Sequence, residues 1–454
     1  MTVFIKLMST KSFSLVLKKK ISPYIKTIKV DSDKSISIRS FLIGSISHNI
    51  SSVKNILESE DVFSTIKCLK KLGVKIKRRG SGNYIIYGKG LGSLTAKRNI
   101  NLNFGNSGTL ARLLIGILST CPNIEAKVQG DSSLNKRNMK KLIQLMSEFG
   151  ALFLPKNKFY FPLKIISSNM PLGINYKAGV SAQLKSAVIL AGLNAYGNTN
   201  IIEDKKSRDH TENMLLKNKG AIKIINNKKK FIKIYGKKFL NSFNLEVPGD
   251  PSSAAFFTAL TLLNEKSSLK IVNIGLNPTR IGFYKVLQKH GAKIKFINVR
   301  RHNEEIIGDI SIKSSNIRPI KANKDYYVNS TDEYPILFVI AALSKGISIF
   351  RGVADLVNKE SNRIKEMQKI LLQIGVKSIS KKNELKIFGN GMIKSNTNKK
   401  IKVPKLGDHR ICMSAFVLGI LTGVNTKINN FETVNTSSPS FLKIMKFLGA
   451  NLKK

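Results

Sequence analysis

The chain has 454 residues, of which 42% are hydrophobic and 23% are charged, a balance that fits a globular protein and excludes a disordered or fibrous one. Its formal net charge of +50 at pH 7 would suit a nucleic-acid partner, but the lysines are spread along the whole chain, which we interpret as a compositional bias. The length exceeds one compact core and suggests two or three domains.

In chain order, a two-part pattern recurs six times at intervals of about 75 residues, which is typical of a repeat architecture. Each copy opens with a small or polar residue that leads into an apolar run. Because each run is apolar nearly all round, it predicts a buried helix. The six runs start near Ser35, Ser107, Ser181, Ser252, Asp332 and Asp408.

The second part of each copy is an amphipathic segment that stops at a glycine, the order expected where glycine ends a helix. The six predicted stops are Gly73, Gly150, Gly220, Gly291, Gly375 and Gly449. Alternating stretches such as residues 84–87 and 233–235 predict strands between the helices. Six α/β units in one chain predict two lobes of three units each.

The predicted helix starts carry the candidate site, because helix N termini present unpaired N–H groups and a partial positive charge to anions. Lys34, Ser35 and Arg39 stand on the first helix, where a solvated N-terminal turn is the alternative interpretation. Gly108 lies in a glycine-rich turn that lets the backbone approach an anion. This turn is not a Walker loop, because no Lys follows in the required position.

Serine, glutamine and arginine groups of the kind that surround a phosphate and a polyol follow further along the chain. They are Arg137, Ser181, Ala182, Gln183, Ser207 and Arg208. In the second half, Asp332 and Glu360 flank predicted helices with cations near in sequence, which suits acid/base chemistry. Each carboxylate alone is more often a helix cap or a surface pair, and their joint occurrence favours a functional interpretation.

Five motifs now stand in order along the chain: DKSISxR from Asp33, GNSGTxxR from Gly105, SAQxKSAxxLAGL from Ser181, SRDHTE from Ser207 and NPTR from Asn277. Together they resemble the 5-enolpyruvylshikimate-3-phosphate synthase family, also called the 3-phosphoshikimate 1-carboxyvinyltransferases. The resemblance runs from about residue 24 to the end of the chain. Several independent motifs in the right order make a chance match very improbable.

The resemblance implies an α/β fold of two lobes, each of three repeated βαβαββ units with buried helices in an inside-out α/β barrel, and an active cleft between the lobes. It implies a first lobe of residues 33–248 and a second lobe of residues 1–32 with 249–454. The implied reaction transfers the enolpyruvyl group of phosphoenolpyruvate to the 5-hydroxyl of shikimate 3-phosphate by addition–elimination, within chorismate and aromatic amino acid biosynthesis.

The resemblance also implies residue roles, carried over motif by motif. Proton transfer would fall to Asp332, Glu360 and Lys34. The shikimate 3-phosphate ligands would be Lys34, Ser35, Arg39, Ser181, Ala182, Gln183, Ser207, Arg208, Asp332 and Lys359. The phosphoenolpyruvate ligands would be Lys34, Gly108, Arg137, Gln183, Arg363 and Arg410.

Further expectations concern cofactors, partners and location. No ligand cluster is visible, so we expect neither a metal nor an organic cofactor. Cys68, Cys121 and Cys412 lie far apart with no CxxC pair, which fits a reducing compartment. The apolar stretch 411–424 falls short of the ~20 residues that span a bilayer. We expect a cytoplasmic monomer that binds these small-molecule substrates, without membrane or specific nucleic-acid partners.

Two other readings remain open at this point. The sister family that transfers enolpyruvate to UDP-N-acetylglucosamine has a similar fold, but typically carries Lys-Asn where this chain has Lys34-Ser35, and a cysteine on a flexible loop. Cys121 instead ends a helical run. A basic RNA-binding or RNA-processing protein is the second alternative, although an aromatic content of 7% indicates no base-stacking surface.

Overall fold

A computed structural model describes residues 12–97, 99–392 and 399–453. The α-helices are α1 (Lys34–Ile46), α2 (Glu60–Lys71), α3 (Gly108–Thr120), α4 (Lys140–Glu148), α5 (Ala182–Gly192), α6 (His210–Leu215), α7 (Pro251–Leu263), α8 (Gly282–Lys289), α9 (Asp325–Ser330), α10 (Tyr334–Leu343), α11 (Arg363–Gln373), α12 (His409–Thr422) and α13 (Phe441–Phe447). The strands are β1 (Leu15–Leu17), β2 (Ile25–Ile28), β3 (Ile50–Lys54), β4 (Lys75–Gly80), β5 (Asn83–Tyr87), β6 (Ile100–Asn103), β7 (Glu125–Gln129), β8 (Leu152–Leu154), β9 (Leu163–Ile166), β10 (Asn175–Ala178), β11 (Asn198–Glu203), β12 (Ile222–Asn226), β13 (Lys230–Tyr235), β14 (Asn244–Glu246), β15 (Ser268–Gly275), β16 (Lys293–His302), β17 (Glu305–Lys313), β18 (Lys321–Ala322), β19 (Lys345–Arg351), β20 (Ser378–Lys381), β21 (Glu384–Asn390), β22 (Lys400–Val403), β23 (Asn425–Ile428) and β24 (Leu452–Lys453).

The strands form six four-stranded sheets that share one topology. In the sheet of β6, β7, β9 and β8, the first two strands are parallel and the other neighbours are antiparallel. This is the βαβαββ unit, whose third and fourth strands form a hairpin on the second strand. The sheets run β14-β3-β5-β4, β6-β7-β9-β8, β10-β11-β13-β12, β2-β15-β17-β16, β18-β19-β21-β20 and β22-β23-β1-β24. The predicted sixfold repeat of α/β units is confirmed.

Three sheets take a strand from a distant part of the chain. β14 pairs with β3, β2 pairs with β15, and β1 lies between β23 and β24. The N-terminal strands are therefore built into sheets of the C-terminal half. The lobe boundaries near residues 33 and 248 stay a prediction.

The first helix of each unit is buried, as the apolar runs predicted. All described residues of α7, α10 and α12 are buried, whereas the polar starts of α1 and α5 are only partly covered. Buried apolar residues form two clusters, one of residues 36–247 and one of residues 15–30 with 254–450. Each cluster has helices inside and sheets outside.

Glycine ends the second helix in five of the six units. Gly73, Gly150, Gly291, Gly375 and Gly449 all have positive φ, the left-handed conformation that favours glycine. The prediction for Gly220 is wrong. α6 already ends at Leu215, and Gly220 is not among the described residues with positive φ, so a longer turn separates that helix from β12.

Side-chain caps fix where the buried helices begin. The carboxylates of Asp33, Asp250 and Asp408 accept backbone N–H groups at the starts of α1, α7 and α12. The hydroxyls of Ser107 and Ser181 do the same for α3 and α5. Because these caps satisfy only some of the free N–H groups, the helix starts keep a partial positive charge.

Candidate active site

A cleft of about 2810 Å³ lies between residues of the two apolar clusters, at the N-terminal ends of the buried helices. Thirteen of the fifteen site residues predicted from the sequence line it. They are Lys34, Ser35, Arg39, Gly108, Arg137, Ser181, Ala182, Gln183, Ser207, Arg208, Asp332, Lys359 and Glu360. Residues that are up to 326 positions apart in the sequence, from Lys34 to Glu360, are thus brought to one cavity.

The start of α1 supplies two cations to the cleft. Lys34 Nζ lies 3.0 Å from the Asp61 carboxylate. Arg39 is 3% exposed, and its Nε donates to Thr211 Oγ1 at 2.8 Å while its Nη2 donates to Ser186 Oγ at 3.2 Å. Burial lowers the pKa of Arg39 to about 10. Arg39 is therefore held in one orientation by α5 and α6.

The start of α3 brings two guanidinium groups together over a residue with no side chain. A Cβ on Gly108 would lie 2.8 Å from Arg112 Nη1 and 3.0 Å from Arg137 Nη1. Arg112 Nη1 donates to Gln183 Oε1 at 2.9 Å, and Gln183 Nε2 donates to Thr109 Oγ1 at 2.9 Å. These two bonds fix which way the amide of Gln183 faces.

Asp332 is an ionised carboxylate that bridges the cleft. Its Oδ2 lies 2.7 Å from Arg208 Nη1, and its Oδ1 lies 3.6 Å from Arg363 Nη1. Burial alone would raise the pKa of Asp332, but Arg208, Arg410 and Arg363 hold it well below its usual range. At neutral pH this group can accept a proton but has none to give.

Glu360 is a second carboxylate of the cleft, and it shares Arg363 with Asp332. Arg363 Nη2 donates to its Oε2 at 2.7 Å, and Arg137 Nη1 lies 3.3 Å from its Oε1. Burial alone would raise the pKa of Glu360, but Arg363 and Arg137 hold it well below its usual range. Both carboxylates therefore owe their charge to arginines predicted to bind substrate.

Arg363 and Arg410 lie behind the cleft wall, outside its lining residues. Arg363 is 1% exposed and its Nε donates to Asp408 Oδ2 at 3.0 Å. Arg410 stacks on Phe256, with its guanidinium carbon 5.7 Å from the ring centroid. Nε and Nη1 of Arg410 have no hydrogen-bond partner among the described residues. A buried cation with free donors leaves capacity for an anion at the wall.

Another part of the cleft lining presents hydroxyls and a lysine. Ser181 Oγ accepts the Leu184 N–H at 3.4 Å, and Lys359 Nζ lies 2.6 Å from Asp355 Oδ2. Nη2 of Arg208 is buried with no partner within the described part of the chain. The free donor of Arg208 and the ammonium of Lys359 can both serve an anionic ligand.

Three further cleft residues were not among the predicted site residues. Asp61, Arg112 and His409 all line the cavity. Burial, Arg410 and Lys34 hold the pKa of His409 well below its usual range, so its imidazole is neutral. Arg112 could have been found from the sequence, since it stands four residues after Gly108 on the same helix face. Asp61 lies on α2, away from the predicted starts of the buried helices, and no sequence pattern singled it out.

The described residues contain no group of three or more His, Cys, Asp or Glu side chains that could hold a metal ion. Among them, none of the helices is both long and apolar enough to cross a membrane. The cleft instead combines ionised carboxylates, clustered guanidinium groups and open helix N termini, which suits proton transfer on anionic substrates. Fold and site together define an α/β protein of repeated βαβαββ units with an anion-binding cleft.

Comparison with known proteins gives the family. The family model of EPSP synthase (3-phosphoshikimate 1-carboxyvinyltransferase) matches residues 18–445, and the chain belongs to this family. It is 36% identical over 435 residues to the 3-phosphoshikimate 1-carboxyvinyltransferase of Paramagnetospirillum magneticum, covering 95% of this chain and 96% of that protein. It is 38% identical over 422 residues to that of Petrotoga mobilis, covering 92% and 96%.

Solved structures support the same family assignment. An EPSP synthase from Acinetobacter baumannii superposes with a TM-score of 0.84 at 33% identity, covering 97% of this chain and 99% of that chain. The enolpyruvyl transferase NikO from Streptomyces tendae superposes with a TM-score of 0.73 at 12% identity, covering 97% and 98%. At that identity NikO shows only that the fold is shared. The resemblance drawn from the five motifs is confirmed.

Proposed function

We propose that this chain transfers the carboxyvinyl group of phosphoenolpyruvate to the 5-hydroxyl of shikimate 3-phosphate and releases phosphate, the step of the shikimate pathway that leads toward chorismate. The observation that carries the proposal is the pair of cleft carboxylates, Asp332 and Glu360, each held ionised by arginines. The reaction needs proton acceptors next to bound anions, and this pair supplies them.

The charges in and behind the cleft match the two substrates. Each phosphate brings about −1.5 to −2 and each carboxylate about −1, so the substrates together bring roughly −5 to −6. The cations at the site are Lys34, Arg39, Arg137, Arg208, Lys359, Arg363 and Arg410. Seven positive charges, partly offset by the carboxylates, favour binding of both anions in a partly desolvated site.

The proposed roles are those that the family resemblance implies. Lys34, Ser35, Arg39, Ser181, Ala182, Gln183, Ser207, Arg208, Asp332 and Lys359 bind shikimate 3-phosphate. Lys34, Gly108, Arg137, Gln183, Arg363 and Arg410 bind phosphoenolpyruvate. The bond from Arg112 to Gln183 supports a place for that amide between the two substrates, since Arg112 stands beside Arg137.

The proposed chemistry is an addition followed by an elimination. Asp332 accepts the proton of the 5-hydroxyl while the oxygen of that hydroxyl attacks the second carbon of phosphoenolpyruvate. A proton is added to the methylene carbon in the same step. In the second step the resulting methyl group loses a proton, the double bond reforms and phosphate leaves. Lys34 supplies the proton that is added to the methylene carbon, Glu360 accepts the proton that the methyl group loses, and no metal or organic cofactor takes part.

The rival acceptor, UDP-N-acetylglucosamine, finds no support in the cleft. Cys121 is 1% exposed at the C-terminal end of α3, its Sγ donates to the Leu94 carbonyl at 3.4 Å, and burial raises the pKa of its thiol to about 11. A buried thiol of this kind cannot act on a substrate in the cleft.

We further propose a monomeric protein of the cytoplasm with no specific nucleic-acid partner.

The deciding experiment measures phosphate release with both substrates present, with each omitted, and with UDP-N-acetylglucosamine as the acceptor. Phosphate should appear only when phosphoenolpyruvate and shikimate 3-phosphate are supplied together. Mass spectrometry should then detect the enolpyruvyl ether of shikimate 3-phosphate. Release that requires the UDP-sugar, or no release with either acceptor, would refute the proposal.

A further inference from the structure

Four charged side chains are enclosed beside Ser207, a residue of the cleft lining. Lys185 of α5 lies 2.9 Å from Glu203 Oε1 and 2.8 Å from Glu212 Oε1, and Lys230 lies 3.0 Å from Glu212 Oε1. None of the four is more than 5% exposed. The cluster joins α5, α6, β11 and β13, and its two lysines balance its two glutamates.

The cluster also holds a cleft residue. The backbone N–H of Ser207 donates to Glu203 Oε1 at 2.8 Å, and the Ser207 hydroxyl donates to the same oxygen. The Ser207 carbonyl accepts from Lys185 Nζ at 3.5 Å. Both donors and the carbonyl of this one residue are therefore tied to a single ion pair.

This arrangement constrains how Ser207 can serve a phosphate. A dianionic phosphate only accepts hydrogen bonds, so the hydroxyl proton must rotate from Glu203 to the ligand. The backbone N–H stays on Glu203 during that rotation and keeps the loop in place. Without Lys185, the Glu203 charge would repel the phosphate.

Lys185 remains charged in this buried setting. Burial alone would lower the pKa of Lys185, but Glu212 and Glu203 raise it above its ordinary value. A second carboxylate, Glu212, shares the ammonium, so Lys185 keeps a partner when its bond to Glu203 weakens.

We propose that Glu203 and Lys185 are positioning residues for the phosphate of the acceptor. They fix Ser207, and with it the neighbouring Arg208, at the cleft, and they set the affinity for the acceptor without touching the reacting atoms. The inference rests on the proposed function. Its alternative is a cluster that only cross-links α5, α6 and the outer sheet.

Two variants separate positioning from simple charge balance. Glu203→Gln removes the charge that holds Ser207 and Lys185. Glu203→Asp keeps the charge, and the flexible Lys185 side chain can follow it, but a carboxylate set back by one methylene no longer reaches the backbone N–H of Ser207. Each variant should raise the KM for shikimate 3-phosphate about tenfold, as expected for loss of a hydrogen bond to a charged group. The kcat and the KM for phosphoenolpyruvate should stay within about twofold of wild type.

Asp309→Asn is the matched control. Asp309 is a buried carboxylate of β17 that accepts the Asn273 N–H at 2.9 Å and pairs with Lys270 at 3.1 Å, and it does not line the cleft. This variant should lower the melting temperature and leave both KM values unchanged. Calorimetric titration of shikimate 3-phosphate alone gives a second readout that does not depend on turnover.

The mutant cycle with Ser207→Ala tests the path of the effect. If Glu203 acts through Ser207, the two substitutions together should raise the KM by less than the product of their separate effects. Unchanged KM values with only a lower melting temperature would overturn the inference while leaving the proposed function intact, as would a wild-type KM in Glu203→Asp. If Glu203→Gln does not fold, Glu203→Asp decides. A wild-type chain that releases no phosphate overturns both proposals.

Discussion

Glu360→Gln is the perturbation that most directly separates catalysis from structure at this site. The substitution keeps the size of the side chain and removes its charge. Arg363 keeps its contacts with Asp408 and Asp332 at 3.0 and 3.6 Å, so the buried guanidinium does not lose all its partners. The local fold should therefore survive the change.

The two interpretations predict different magnitudes. If Glu360 transfers a proton, its loss should lower kcat by about 10²–10⁴, which corresponds to roughly 3–5 kcal/mol of barrier. If Glu360 only bonds Arg363 and Arg137, its loss should cost about 1–2 kcal/mol of stability with kcat nearly intact. Its side chain is 20% exposed, which places the structural cost toward the lower end.

The assay is steady-state phosphate release combined with thermal melts of the same preparations. Glu58→Gln is the matched control, because Glu58 also lines the cleft and accepts from an arginine, Arg78, at 2.7 and 2.8 Å, but has no assigned role. We expect the control to turn over normally. Near-wild-type turnover of Glu360→Gln, with only a lower melting temperature, would remove Glu360 from the mechanism.

Four other outcomes follow from the contacts. Asp332→Asn should lower kcat by about 10²–10⁴ and weaken shikimate 3-phosphate binding more than Glu360→Gln does, measured by kinetics and titration. Gly108→Ala should raise the KM for phosphoenolpyruvate, because the new Cβ would press on Arg112 and Arg137 at 2.8 and 3.0 Å; an unchanged KM would contradict this, and no loss of melting temperature is expected because alanine favours the helix. Burial alone would raise the pKa of Glu360 and its arginines lower it, so Arg137→Gln should move that pKa upward and shift the acid limb of the kcat/KM profile to higher pH, whereas an unshifted limb would count against the assignment. Arg280→Met should cost about 3–5 kcal/mol of stability, because Arg280 lies 2.9 Å from the buried Asp33 and 3.1 Å from the buried Asp250; a thermal melt close to wild type would disprove this.

The fold was predictable because its signals are local and repeated. Six apolar runs with small or polar starts predicted six buried helices, and each helix appears where its run begins. The prediction of a helix stop at Gly220 was wrong because a glycine after an amphipathic segment does not show where the helix before it ends. The placement of β1 and β2 in distant sheets could not come from local pattern, since β1 pairs with residues more than 400 positions away.

The sequence predicted only those site residues that stand at or near the start of a helix. Lys34, Gly108 and Ser181 stand at capped N termini, so sequence position gave their place. Asp61, which reaches the cleft from α2, left no such mark. The buried hydrogen bonds from Ser207 to Glu203 could not be predicted from the sequence either. They join a loop to the end of a strand through the Glu203 side chain, and only the packed structure fixes the direction of that side chain.

The ion pairs across the cleft connect substrate binding to chemistry. Arg208 pairs with Asp332 at 2.7 Å and Arg137 with Glu360 at 3.3 Å, so each arginine that we assign to a substrate anion also lowers the pKa of a carboxylate that we assign to proton transfer. An incoming phosphate or carboxylate competes for the same guanidinium, and the pKa of the released carboxylate must then rise. Glu360, which has no proton to give while Arg137 and Arg363 hold its charge, can take one up and return it once phosphoenolpyruvate shares those arginines. Arg363 contacts both Asp332 and Glu360, so phosphoenolpyruvate acts on both carboxylates, whereas shikimate 3-phosphate acts on Asp332 through Arg208. Proton transfer is therefore favoured in the complex that holds both substrates.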